Sequence, residues 1–142
     1  MPKVSIVVPI YPMKNHAELF WRCVDSITKQ TFKDYEIIIT QEGKMAENTN
    51  AGIKRARGEI IKILYMDDWI ADVSYLEQLV KAFNEHPNVG WIVTASDTNL
   101  NPRYTEDIEM GNNKLGSPSA LAFRNKFESN LRIAVSAKDY SR

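Results

Sequence analysis

Four apolar runs of strand length, separated by segments of helical spacing, constrain this chain more than any other feature. The runs are Val4 to Ile10, Tyr35 to Thr40, Ile60 to Leu64 and Gly90 to Ala95. Between the first two, Phe20, Val24 and Ile27 recur at helical intervals, and Leu19 and Cys23 widen the apolar face. A short helix is expected from Ala46 to Arg57, with Gly58 just past its end as a C-terminal stop. A third helix takes its apolar face from Leu76, Leu79, Val80 and Phe83 and ends at Pro87. Asn15 with Glu18, and Ser74 with Glu77, have the spacing of capping boxes. Strands alternating with helices of this length predict βαβ units, and hence an α/β domain with a mainly parallel sheet. Ser119 to Phe123 adds one further short strand, after a polar, Asn-rich stretch from Ser96 to Ser117 that lacks periodicity. A loop of that length inside a compact domain is usually functional or mobile.

The third run ends abruptly in two adjacent carboxylates, Asp67 and Asp68. In an open α/β sheet, ligands gather beyond the carboxyl ends of the strands. Two hard oxygen donors at that place suit Mg²⁺ or Mn²⁺, an ion that commonly shares its coordination with a substrate phosphate. The competing reading is a polar turn that caps whatever follows.

Composition narrows the partners. The 142 residues suffice for one domain with a real core. Lys plus Arg and Asp plus Glu are both 18, so the formal net charge is zero, and a general polyanion binder would show a basic excess. Nucleic acid is therefore not the expected partner. Cys23 is the single cysteine, which leaves no intramolecular disulfide and no cysteine-cluster metal site; it reads as a buried small hydrophobe. No stretch approaches the roughly 20 apolar residues of a membrane span, and Met1-Pro2-Lys3 runs into a strand without a signal-peptide pattern. The expected location is cytoplasmic.

Taken in order, the pieces resemble the nucleotide-sugar-binding half of a family 2 glycosyltransferase. They are Val4-Ser5-Ile6-Val7-Val8-Pro9-Ile10-Tyr11, Cys23-Val24-Asp25-Ser26-Ile27 with Gln30-Thr31, Tyr35-Glu36-Ile37-Ile38-Ile39, Asn50-Ala51-Gly52 with Ala56-Arg57-Gly58-Glu59, and Leu64-Tyr65-Met66-Asp67-Asp68-Trp69. Gly116-Ser117-Pro118-Ser119 with Phe123-Arg124 resembles an acceptor-side segment of short members. The resemblance implies a GT-A (Rossmann-like) αβα sandwich over residues 1–142, with the acceptor-side part, from about 97 onward, short or incomplete. It implies a UDP- or GDP-sugar donor, Mn²⁺ or Mg²⁺, a glycan or other hydroxyl acceptor, and transfer with inversion. A self-associating oligomer follows if apolar surface is left uncovered.

The same resemblance assigns residues. Pro9 and Tyr11, at the exit of the first strand, and Gln41 and Glu42, at the end of the second, hold the nucleoside; only Glu42 keeps the charge of the family's usual acid pair. Tyr65 stands where the metal motif has its first aspartate, and Asp67 keeps the second and is the direct metal ligand. Asp68 binds the ion, contacts the donor sugar or orients a water. Asn48 and Asn50 either hydrogen-bond the nucleotide or open their helix. Arg57 is a diphosphate contact or part of a solvated face with Lys54 and Arg55. The backbone N–H groups at the start of that helix offer an anion site. The catalytic base is the weak point: the expected acid falls near Ser136 or Lys138, and Asp139 fits only with a one-residue slip.

Two other functions compete. A catalytically silent nucleotide-sugar-binding module, or a fragment needing a partner to complete its site, would account for Tyr65, Ser136 and Lys138. A nucleotidyltransferase would need a glycine-rich loop after Val8-Pro9, which is missing. Gly111 to Ser117 lacks the Lys-Ser pair of a phosphate loop and follows no strand. Trp69 and Trp91 read as packing residues, His16 and His86 as surface residues, and Glu106, Asp107 and Glu109 as a solvated cluster.

Overall fold

The computed structural model describes residues 1–94 and 118–125. Its elements in chain order are β1 (Val4–Pro9), α1 (His16–Thr28), β2 (Tyr35–Thr40), α2 (Met45–Arg55), β3 (Ile60–Ile63), α3 (Tyr75–Glu85), β4 (Trp91–Val93) and β5 (Leu121–Arg124), the last entered through a 3-10 turn at Pro118–Ala120. The strands form one sheet in the order β2-β1-β3-β5-β4. β1 pairs parallel with both β2 and β3, whereas β5 runs antiparallel to β3 and β4. Four strands thus point one way and β5 alone opposes them. The mainly parallel sheet read from the alternation of elements is present.

The period-two alternation of the strands divides the core into two layers. Val4, Ile6, Val8, Ile60 and Leu64 pack on one face with Cys23 and Ile27 of α1 and Leu76, Leu79 and Phe83 of α3. Val7, Ile61, Ile63 and Phe123 pack on the other with Met45 and Ile53 of α2. Helices on both faces bury all six residues of β1, so each large aliphatic there contributes about 1.5–3 kcal/mol by leaving water. That is why the first run carries no polar residue except Ser5.

Three local expectations are corrected. Asn15 adopts a left-handed backbone (φ 61°, ψ 27°) and its side chain does not cap α1; capping needs an extended backbone at that position. Ser74 makes no side-chain cap either. Instead Asp72 Oδ1 accepts from the Ser74 amide (2.9 Å) and hydroxyl (2.8 Å), and the buried Gln30 Oε1 accepts the Leu76 N–H (3.0 Å). Gly58 is not the helix stop, because α2 ends at Arg55 and Ala56 is already extended. Gly58 is required by close approach: a Cβ there would lie 2.7 Å from the Ser5 backbone nitrogen and 2.9 Å from the Val4 carbonyl carbon.

Around this contact the amino-terminal ends of the strands are tied together. Ser5 Oγ accepts from the Gly58 N–H (2.7 Å) and donates to Glu36 (2.7 Å). Arg57 donates to Glu36 from its backbone (2.9 Å), Nε (3.1 Å) and Nη2 (2.7 Å). Burial works to raise the Glu36 carboxyl, but the hydrogen bonds from Ser5 and Arg57 outweigh it and hold the group below its ordinary value. Replacing Gly58 by Ala forces backbone against backbone. Gly58→Ala is expected to lower stability by about 1–3 kcal/mol, measured by urea unfolding; an unchanged midpoint would contradict the close packing.

Candidate functional site

The three parallel strands β2, β1 and β3 deliver their carboxyl ends to one edge of the sheet. Chain exits at Ile10-Tyr11, Gln41-Glu42 and Leu64 to Asp68 therefore converge. Asn48 of α2, 3% exposed, fastens two of them. Its Nδ2 donates to the Ile10 carbonyl (2.8 Å), its Oδ1 accepts the Glu42 N–H (3.0 Å), and its own carbonyl accepts from Thr40 Oγ1 (2.9 Å). This buried amide is a scaffold member, a role beside the two the sequence left open for it.

Asp67 and Asp68 sit in a turn closed by the Asp68 N–H to the Tyr65 carbonyl (2.9 Å). The Tyr11 hydroxyl donates to Asp67 Oδ1 (3.2 Å), joining the exits of β1 and β3. Burial first, then the charge of Asp67 and this hydrogen bond, pushes Tyr11 up to about 12, so it acts as a donor throughout the neutral range. Asp68 Oδ2 accepts from Ser119 Oγ (2.5 Å), and the same hydroxyl oxygen accepts the Tyr65 N–H (2.9 Å). Arg22 of α1 donates to the Asp67 carbonyl (3.0 Å) and stacks on Trp69, 3.8 Å from the ring centroid. The carboxylate turn is thus held from β1, α1 and the entry to β5.

Tyr65 belongs to the core layer that packs against α2. It is 8% exposed and packs with Val7, Ile61, Ile63 and Phe123. Cys23, fully buried, has its thiol pushed up to about 12 by burial and then by the charges of Asp68 and Asp67. It is the inert core residue expected from the sequence. Lys62 lies within β3, 2% exposed, and donates to the Ser119 carbonyl.

Pro9, Tyr11, Gln41, Glu42, Asp67 and Asp68 all belong to this edge. Glu42 also pairs with Arg55. Asn50 is a partly buried residue of α2. Arg57 belongs elsewhere: its guanidinium is committed to Glu36 near the amino-terminal ends of the strands, away from the carboxylates. Of the two roles the sequence leaves open for it, this exposed pairing goes with the solvated face. Trp69 and Trp91 are 49% and 47% exposed rather than packed, because one follows the strand into the outer turn and the other lies on an edge strand. His16 and His86 are exposed as expected. Asp139, Ser136, Lys138 and the Glu106 cluster lie outside the described residues. Arg22, Asn48, Lys62 and Ser119 complete the site without having been assigned these roles from sequence. The legible signal for Lys62 was a single lysine inside an apolar run.

Among the described residues, no group of three His, Cys, Asp or Glu side chains comes together. Two neighbouring carboxylates fit a hard divalent ion that takes its remaining oxygens from a phosphate-bearing ligand and water. No helix among the described residues is long and apolar enough to cross a membrane.

No family model matches the chain. It is 28% identical to the glycosyltransferase GlyA of Streptococcus pneumoniae, over 59% of its own length and 15% of the relative's. To the uncharacterized glycosyltransferase EpsJ of Bacillus subtilis it is 29% identical, over 53% of its length and 29% of the relative's. The chain thus spans less than a third of these curated relatives. Among solved structures, S. aureus TarS residues 1–349 in complex with UDP-GlcNAc superposes with a TM-score of 0.67 at 17% identity, over 87% of this chain and 45% of that one. The mannosyltransferase PcManGT of Pyrobaculum calidifontis, in complex with GDP-Man and Mn²⁺, gives 0.62 at 20%, over 87% and 44%. The chain is similar in sequence to glycosyltransferases and has their Rossmann-like α/β fold, as its ordered motifs implied.

Burial of Lys62 has a consequence for stability. Removal from water pushes its ammonium down to about 7, although the charge of Asp68 acts in the opposite direction. Tyr75, whose ring lies 5.3 Å from Lys62 Nζ, stays neutral, raised by burial to about 12. Between about 7 and the ordinary lysine range, the unfolded chain holds a proton that the folded chain has released, so this group makes stability rise with pH. The unfolding free energy of the wild type, less that of Lys62→Met, is expected to increase from pH about 7 to about 10 in urea titrations. A flat difference would contradict the burial of a titrating lysine.

Proposed function

We propose that this chain forms the donor-binding part of a family 2 glycosyltransferase, which takes a UDP- or GDP-sugar with Mn²⁺ or Mg²⁺ and transfers the sugar, with inversion, to a hydroxyl of a glycan or other acceptor. The observation that carries this reading is the Asp67-Asp68 turn, held at the carboxyl edge of a parallel sheet by Tyr11, Ser119 and Arg22. The likeness to proteins solved with UDP-GlcNAc, and with GDP-Man and Mn²⁺, supports the choice of ligand class.

In this reading Asp67 is the metal ligand, and Asp68 is a second ligand or a contact to the donor sugar. A divalent ion bound there supplies electrostatic stabilisation of the departing diphosphate. The protein's own part is positioning. Tyr11 keeps the Asp67 carboxylate directed toward the site, while Pro9, Gln41 and Glu42 border the nucleoside. Gln41 offers an amide that both donates and accepts to a base edge. Asn50 and the first turn of α2 lie on the same side as the donor. Asp139 is the carboxylate we assign to the acceptor proton.

Calorimetric titration of UDP and of GDP, each with Mn²⁺ and then with EDTA, tests the donor site. Binding is expected to require the metal and to weaken at least about tenfold in Asp67→Ala, because one carboxylate of a shared cation is lost. Binding that persists unchanged in EDTA or in the variant would contradict the proposal. Sugar transfer by the wild type, reduced at least about 100-fold in Asp139→Asn, is expected if that residue is the base. Metal-dependent binding with neither transfer nor donor hydrolysis would favour the silent binding module, a reading to which the burial of Tyr65 in place of a carboxylate already lends weight.

A further inference from the structure

Lys62 is at odds with its surroundings. It lies between Ile61 and Ile63 in the middle strand of the sheet, with 2% of its surface exposed. No carboxylate among the described residues forms an ion pair with it. Its ammonium donates to the Ser119 carbonyl and faces the Tyr75 ring at 5.3 Å. Removing a cation from water without an ion-pair partner costs far more than burying an aliphatic chain of the same length. The charge of Asp68 favours the ammonium, and burial outweighs it.

Ser119 is a partner of this ammonium. Its carbonyl accepts from Lys62, and its hydroxyl oxygen accepts the Tyr65 N–H (2.9 Å). A hydroxyl has a single proton, and a backbone amide can only donate, so the Ser119 proton is directed to Asp68 Oδ2, 2.5 Å away. A short hydrogen bond to a carboxylate is strong enough to select one orientation of that side chain. Ser119 itself lies in the short turn that leads into β5, and β5 is registered on β3 with Ala122 opposite Lys62. One residue thus connects a buried ammonium with one of the two carboxylates at the sheet edge.

We propose that Lys62 is a positioning residue: by anchoring the Ser119 turn it fixes the orientation in which the Asp68 carboxylate meets the metal-bound diphosphate of the donor. The inference rests on the donor-binding reading above and adds to it the device that orients one carboxylate. It also accounts for two oddities together, a lysine inside an apolar strand and a serine whose hydroxyl serves the turn rather than solvent.

The test uses the full chain with Lys62→Met, Ser119→Ala and Ser119→Thr. Two quantities are read: the exchange rate of the Tyr65 amide by NMR, and the Mn²⁺-dependent affinity for UDP and GDP by calorimetry. Lys62→Met and Ser119→Ala are each expected to speed Tyr65 exchange by about tenfold or more while β1 amides stay protected. Each should also weaken nucleotide affinity by about 10–100-fold, the range for groups that orient metal ligands. Ser119→Thr keeps the hydroxyl and should restore both. The double variant Lys62→Met, Ser119→Ala should be no weaker than either single one, because the two act in series. Wild-type affinity and wild-type Tyr65 protection in Lys62→Met would overturn the proposal, as would additive losses in the double variant. If the wild type binds neither nucleotide, the donor reading fails. Tyr65 exchange then still decides whether Lys62 holds Ser119: faster exchange in Lys62→Met supports the anchoring, and an unchanged rate refutes it.

Discussion

Parallel pairing of β1 with strands on both of its sides is the constraint from which the site follows. Val4 to Pro9 lie against Tyr35 to Thr40 on one side, and Val4 to Val7 against Ile60 to Ile63 on the other. Parallel registration requires all three chains to leave the sheet at the same edge, and it requires covering helices on both faces. Once the edge exists, Asn48 ties two exits and Tyr11 ties the third to the first. Hydrophobic burial selects the sheet, and a few directed hydrogen bonds then orient its rim. The order of these effects matters, since each hydrogen bond is worth only about 1 kcal/mol net and could not assemble the edge alone.

The two ends of the sheet are polar for different reasons. At the amino-terminal end, Ser5, Glu36, Arg57 and the Gly58 amide bond to one another. At the carboxyl end, two carboxylates occupy adjacent positions in one turn, a repulsive arrangement unless a cation or hydrogen-bond donors offset it. Tyr11 and Ser119 supply donors, and the proposed metal would supply the charge.

Much of this organisation was legible in the sequence. β-branched runs marked the strands, and their alternation with helical segments gave the parallel sheet. The break from Met66 to Asp67 marked the carboxyl end of the third run, where the candidate site lies. Details governed by tertiary contact were not legible. The spacing of Asn15 with Glu18 and of Ser74 with Glu77 suggested caps, but the left-handed backbone at Asn15, and Asp72 and Gln30 at the other helix, replaced them. Gly58 read as a helix stop, yet it is a contact surface for β1. Arg57 stayed open between a diphosphate contact and a solvated face because charge says nothing about which end of a strand a residue occupies. Lys62 and Ser119 are 57 residues apart, and only the antiparallel return of β5 onto β3 brings them together.

The central claim is that a divalent ion and a nucleotide meet at the Asp67-Asp68 turn. Paramagnetic broadening of amide resonances by Mn²⁺ in the presence of UDP or GDP tests it most directly. The account predicts that the amides of Tyr11, Glu42, Asp67, Asp68 and Ser119 broaden first, while those of Glu36, Arg57 and Gly58 at the opposite edge stay sharp. Broadening centred on the Glu36 end, or spread evenly over the surface, would contradict it.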